Sequence, residues 1–251
     1  MHAMIVGVAI SVVAATAAAA DLLIVADEIP AMEYLAQRLQ DYGAGSSRIV
    51  TQEQMPVALS GFRAVLVYIH RELHPAAERA MIHYTTNGGR LVVLHHSISS
   101  GKRKNKEWFA FLGVNLPPGD LQAGGYKWIE GVKLDIARLE PGHFITTNAV
   151  TYPGAVPFQE AAGEPLRLLG GFHLDNSEVY LNHVLTEART LLLGFRYEDT
   201  ASGKVYCQKH AGWLKPAGQG WIIYLLPGHS QRDFEAPAYS RIIANATLWK
   251  P

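Results

Sequence analysis

Arg90-Leu91-Val92-Val93-Leu94 is an apolar run that ends abruptly in His95, His96 and Ser97. Imidazoles in such a place titrate near neutral pH and serve as acid, base or metal ligand. Two further apolar runs end in the same way. Ala64 to Ile69 delivers His70 and His74, and Gly220 to Leu226 delivers Pro227-Gly228-His229-Ser230. Between them, Asp175-Asn176-Ser177-Glu178-Val179-Tyr180 offers a carboxylate and a phenol. The chain carries 11 His against a single Cys, which points to imidazole and carboxylate chemistry and away from thiols. The candidate catalytic residues are His95, His96, Glu178, Tyr180 and His229. A divalent metal such as zinc accepts three N or O ligands and keeps a fourth position for water or substrate. Its candidate ligands are His70, His96 and His229. His70 and His74, at i and i+4, read equally as an ordinary helix start, and Glu178 reads equally as half of a surface ion pair. His143, His173, His183 and His210 read as structural or exposed.

Several chemistries are excluded. A thiol nucleophile needs a strand-to-helix elbow, and Cys207 lies in no such setting. A serine-hydrolase G-x-S-x-G elbow is absent, because Ser97 is flanked by His96 and Ile98. No G-x-G-x-x-G follows a strand and no P-loop occurs, so no nucleotide cofactor is expected. Lys+Arg and Asp+Glu are both 22, which gives no basic surface for nucleic acid. The one basic cluster, Lys102-Arg103-Lys104-Asn105-Lys106, reads as the solvated face of a loop.

The elements that must position these residues follow from periodicity. Continuous apolar runs at 22–26, 48–50, 64–69, 91–94 and 220–226 read as strands of a buried sheet. Helical spacing of Met32, Leu35, Ala36 and Leu39 predicts a helix over 31–42, stopped by Gly43. Pro75 opens a second helix and Gly88-Gly89 closes it, while 107–112 reads as a helical segment ending at Gly113. The last helix spans 238–249 with Ile242, Ile243, Ala246 and Trp249 on one face. Buried strands separated by amphipathic helices predict an α/β fold, a mostly parallel sheet covered on both faces. From residue 121 shorter alternating strands appear at 126–134, 178–180 and 190–197, read as extra strands on the same sheet. Ligands of such sheets sit off the carboxyl ends of the strands, so the three histidine sets are expected at one edge.

The organisation is one domain over 21–251 behind a leader. Ala3 to Ala20 is apolar but for Ser11 and Thr16, and Ala18-Ala19-Ala20 before Asp21 resembles a signal cleavage site. The expectation is export to the periplasm or outside the cell, with membrane contact only through an uncleaved leader. A homo-oligomer is left open by the sequence.

Together these segments resemble the ThuA-like (trehalose utilisation) family. Gly88 to Ser97 looks like the family's Gly-rich turn, strand and LH end, and Trp108 to Gly113 resembles its W…LLG helix. Gly142-His143-Phe144-Ile145-Thr146 is similar to the HPIT segment, with Phe144 where proline is usual. Ser177-Glu178-Val179-Tyr180 is similar to DE-x-Y, with Ser177 replacing aspartate. The carboxyl end follows most closely: Trp213 to Gly220, the strand, Gly228-His229 and a helix ending in Leu248-Trp249, with Trp221 in place of arginine.

The resemblance implies a class I glutamine amidotransferase-like, flavodoxin-type fold without the catalytic cysteine, hence no glutamine amidotransferase. It implies a small-molecule carbohydrate substrate, a disaccharide or an oxidised (keto) glycoside, cleaved by hydrolysis or elimination with histidine, carboxylate or metal assistance. The alternative is a non-catalytic sugar-binding or interaction module on the same fold.

Overall fold

The computed structural model describes residues 20–161 and 163–251. The leader expected over residues 1–20 lies, but for Ala20, outside them. Among the described residues no helix is long and apolar enough to cross a membrane.

Strands β1 (Leu22–Ala26), β3 (Ala64–Tyr68) and β4 (Arg90–Leu94) are almost wholly buried, as their continuous apolar runs require. With β2 (Ser47–Val50) and β12 (Gly220–Leu225) they form a parallel set in the order β2-β1-β3-β4-β12. The connections carry α1 (Ile29–Asp41), whose Ala31, Met32, Leu35 and Leu39 are buried, and α2 (Pro75–Thr86). Pro30 and Pro75 sit in the first turns, where their missing N–H costs nothing. Helix α3 (Trp108–Leu112) ends at Gly113 in the left-handed conformation. Helix α6 (Pro237–Leu248) buries Ile242, Ile243 and Ala246.

The sheet continues beyond β12 as β11 (Lys204–Ala217), β10 (Thr190–Asp199), β6 (Lys127–Arg138), β8 (Arg167–Leu181) and β7 (Gly154–Phe158), all antiparallel. A mostly parallel sheet is therefore correct for one half only. The reason is connection length. Only Gly218 and Gln219 separate β11 from β12, and a two-residue link joins antiparallel strands, because a parallel crossover needs a dozen residues or more. A small second sheet pairs β5 (Val114–Asn115) with β9 (Val184–Leu185).

The long β6–β8 ribbon matters most for the site. Its ladder shifts register between Glu130 and Leu134, where Gly131 and Asn176 both take positive φ. Bulges bend a ribbon and re-aim its side chains. Beyond this bend, Glu178 and Tyr180 lie against the carboxyl ends of β4 and β12.

Candidate functional site

At the end of β4 the chain turns sharply into a short 3₁₀ turn, His95–Ile98, and His95 takes φ 37°. A non-glycine residue in the left-handed region is strained, and such strain persists only where neighbours over-determine it. Here they do. The His95 Nδ1–H donates to the Leu226 carbonyl, its Nε2 lies 2.8 Å from Glu178 Oε2, and its ring stacks on Tyr180 at 4.9 Å. The loop after β12 touches the same residue. A Cβ added at Gly228, which has φ 128°, would stand 3.0 Å from the Phe234 ring and 3.2 Å from His95 Cβ. The glycine before His229 is thus set by close approach as well as by conformation.

Three imidazoles converge on one carboxylate oxygen. Glu178 Oε2 is met by His95 Nε2 at 2.8 Å, His229 Nδ1 at 3.2 Å and His96 Nε2 at 3.4 Å. The Tyr180 hydroxyl donates to the same oxygen at 3.3 Å. His95, His96 and Glu178 are buried, while His229 is partly exposed. One ligand atom from each of the four groups lies within 4.8 Å of the others, a spacing that could hold a metal ion. Two details fit a cation. The backbone carbonyl on His95 Nδ1 fixes the tautomer that presents Nε2, the usual orienting contact of a ligating histidine. The set of three nitrogens and one carboxylate oxygen also suits zinc.

The sequence does not single out the groups that hold this constellation. Asp233, in the short helix α5 (Gln231–Glu235), is buried, and its Oδ2 accepts from Ser177 Oγ at 2.7 Å and from the Gly228 and His229 amides at 2.9 Å. It ties the His229 loop to the strand that carries Glu178. Its signal in the sequence is Ser230-Gln231-Arg232-Asp233, an S-x-x-D helix-start pattern. Ser177, read as a departure from the resembled motif, is the residue that reaches Asp233. Ser97 Oγ donates to Val67 O and accepts from Ile69 N, so it ties the end of β3 to the end of β4.

Lys102 is a correction. The cluster 102–106 was expected on a solvated face, yet Lys102 is fully buried and donates from Nζ to Ile69 O (2.7 Å), His70 O (2.9 Å) and His96 O (2.9 Å). The 3₁₀ turn Ser100–Lys104 folds its Nζ beneath these three carbonyls, of which His96 O also accepts from the Ser99 amide, and burial lowers the group to about 7. Arg103 bonds the Leu116 carbonyl and Asn105 bridges Leu73 to Glu78, leaving Lys104 to pair with Glu72 at the surface.

The other histidines divide clearly. His70 lies beside the centre but in a second group, with Glu28 and His96, and its ring stacks on His96 at 4.3 Å and 7°. His70 and His229 therefore fall in different groups that share His96. His74 lies in neither group, pairs with Glu53 and lines a cleft off β1, β2 and β3. His143 caps α4 (Phe144–Thr147), His173 bonds Asp135 and Asp175, and His183 packs on His210.

Electrostatics follow from burial and from the shared carboxylate. Burial pushes His96 down to about 4, against the hydrogen bond to Glu178. Burial also holds His183 well below its ordinary value. For Glu178 burial alone would raise the carboxyl, but hydrogen bonds from His229, His95 and His96 overrule it and hold the group far below the usual range. The hydrogen bond to Glu178 raises His229, which burial opposes.

A pH dependence follows. Between 6.5 and about 4, His96 is protonated in the unfolded chain and neutral in the folded one, so stability falls as pH falls through that window. His183 acts with the same sign, each group contributing about 1.4 kcal/mol per pH unit. Glu178 adds to the loss below 4.5. His229 has the opposite sign, its contribution being present below 6.5 and lost as pH rises through its raised folded value. Urea unfolding of the metal-free protein is expected to show a falling free energy between about pH 7 and about pH 5, with a shallower slope in His183→Phe. An identical slope in that variant contradicts the assignment.

Two adjoining spaces open at the centre. A cleft of about 840 Å³ lies off β1, β2 and β3, lined among others by Glu28, Gln52, Glu53, His70 and Lys104. A recess of about 200 Å³, lined by His96, Trp128, Glu130, Glu178 and Tyr180, shares His70 and Gly101 with it. The cleft is within the usual range for small-molecule sites, ~300–1,000 Å³.

No protein-family model matches the chain, and no curated protein matches it. Solved structures do. A protein described as ThuA-like from Bacteroides uniformis superposes with a TM-score of 0.58 at 16% identity, covering 94% of each chain. A second protein described as ThuA-like, from Parabacteroides merdae, gives 0.63 at 12% identity over 91% of this chain and 88% of its own. A β-galactosidase from Rahnella sp. R3 gives 0.57 at 12% identity, over 89% of this chain but 31% of that enzyme. These likenesses establish the fold.

Proposed function

We propose that the chain is an exported carbohydrate-processing enzyme of the ThuA-like type. In this reading it acts on a disaccharide or an oxidised (keto) glycoside, and His95, His96, His229 and Glu178 hold a divalent cation, zinc being the metal the donor set suits. The observation that carries the proposal is the meeting of three imidazoles from two strand ends on one carboxylate, beside a polar cleft. The order β2-β1-β3-β4-β12 supports a flavodoxin-like reading of the parallel half. In that order the cleft lies off β1 and β3, where the chain reverses direction across the sheet and such folds place their ligands.

When bound, the cation polarises a substrate oxygen or activates a water. The residues supply the rest. His95 is held rigid between Leu226 and Tyr180 and presents one nitrogen to the centre. Glu178 carries the compensating negative charge. His229 is partly exposed and turns Nδ1 to the centre, so as a ligand it carries no proton on that nitrogen and completes the set from the solvent side. Tyr180 donates to Glu178 and fixes the carboxylate's orientation.

The test is turnover of neutral disaccharides and their keto derivatives by the zinc-loaded protein. His96→Ala and His229→Ala are each expected to abolish conversion with folding intact. Saturable binding without conversion by the parent protein would instead establish a sugar-binding module.

A further inference from the structure

The indole of Trp128 has no part in the chemistry above, yet it stands at its entrance. On the β6–β8 ribbon Trp128 is paired with Tyr180, and Glu130 with Glu178. Residues directly opposite in an antiparallel pair share a face, so all four side chains project to the same side. Trp128 is 48% exposed, unlike the fully buried Trp108 and Trp213. It lines the recess that has Glu178 and Tyr180 in its wall.

We propose that Trp128 is a stacking platform for one ring of a neutral glycoside, presenting that ring to Glu178 and His96 while the adjoining cleft takes the second unit. The inference rests on the carbohydrate reading above and specifies how that substrate is held. A half-exposed indole offers a rigid, flat apolar face whose further burial costs little conformational entropy. Its surroundings select the class of ligand. The recess brings together carboxylates (Glu130, Glu178), hydroxyls (Ser99, Ser100) and imidazoles, groups that hydrogen-bond a polyol. A purely apolar ligand would leave these groups unpaired. Among the described residues no lysine or arginine lines the recess. A ring with one apolar face and a polar rim satisfies both surfaces. The larger cleft meets the recess at His70 and Gly101, which gives room for a second sugar unit and sets the bond between the two near His96.

The test uses the full chain with a panel of neutral disaccharides and their keto derivatives, following tryptophan fluorescence and calorimetric binding in the parent, Trp128→Ala and Trp128→Phe. Parent binding is expected to perturb the fluorescence. Trp128→Ala should weaken binding about tenfold, about 1.4 kcal/mol, and Trp128→Phe should retain part of it. For any substrate that turns over, the alanine variant should raise KM with kcat little changed, the mark of lost uniform binding. Melting temperature and metal content report folding in both variants. Equal affinity in all three proteins overturns the platform and leaves the carbohydrate reading standing. Failure of the parent to bind or convert any sugar of the panel overturns the reading and the platform with it. Concentration-dependent self-association that is abolished in Trp128→Ala and indifferent to sugar overturns the platform in favour of an interface between copies.

Discussion

Glu178→Gln is expected to lower affinity for zinc by about 100-fold or more while leaving the protein folded at neutral pH. Loss of contacts that merely orient a ligand already costs about 10–100-fold, and Glu178 is placed as a ligand itself. Its Oε2 is the common neighbour of His95, His96, His229 and Tyr180. The amide keeps the shape and removes the charge, so no remaining member of the group is an anion. The metal-free variant should also respond to pH differently. Without the carboxylate His96 and His229 lose the partner that favours their charged forms, so on acidification the unfolded chain gains protons that the folded one takes up less readily. Stability is then expected to lie below the parent's at about pH 8, where the ionised carboxylate still contributes, and to fall more steeply than the parent's below about pH 6.5. Calorimetric zinc titration with urea unfolding at several pH values measures both. Unchanged affinity would remove Glu178 from the centre.

Lys102→Met carries the second large effect. The ammonium is the shared donor to the carbonyls of Ile69, His70 and His96, and two of those residues belong to the site. A thioether fills the space of the stem but donates nothing, leaving the Ile69 carbonyl without its donor, while His96 O keeps the Ser99 amide and His70 O keeps the Ser99 hydroxyl. Hydrogen bonds to a charged group contribute about 1.5–3 kcal/mol each, but burial lowers Lys102 to about 7 and offsets part of that gain, so a net loss of about 2 kcal/mol is expected. For a domain of this size the melting temperature should drop by about 4–8 °C. Differential scanning calorimetry measures it, and a shift within the scatter of ordinary surface substitutions would show that the three bonds contribute nothing net.

The part of the fold legible in the sequence is the part built from local pattern. Leu22–Ala26, Ala64–Tyr68 and Arg90–Leu94 are buried on both faces, so their apolar runs are unbroken. Polar residues placed immediately after such runs must emerge at strand ends, which is why His70, His95, His96 and His229 could be assigned to one edge. The antiparallel half was less legible. Strand β11 contains Gln208, Lys209 and His210 in succession, and β7 is short with a proline, so neither shows a clean alternation. The meeting of Glu178 with the histidines depends on a bend at Gly131 and Asn176, a tertiary event that leaves no periodic trace. Lys102 misled for a related reason. A run of basic residues looks solvated until a tight turn points one ammonium inward at carbonyls supplied by two other loops.

The central claim is that the imidazoles and the carboxylate form one cation-binding centre. Elemental analysis of the purified chain, before and after a chelator and after reconstitution with zinc, tests it most directly. Near-stoichiometric divalent metal that is lost to the chelator, recovered on reconstitution and absent from Glu178→Gln is the predicted result. A parent chain that holds no divalent metal even after reconstitution would contradict the claim and leave His96, His229 and Glu178 as acid and base alone.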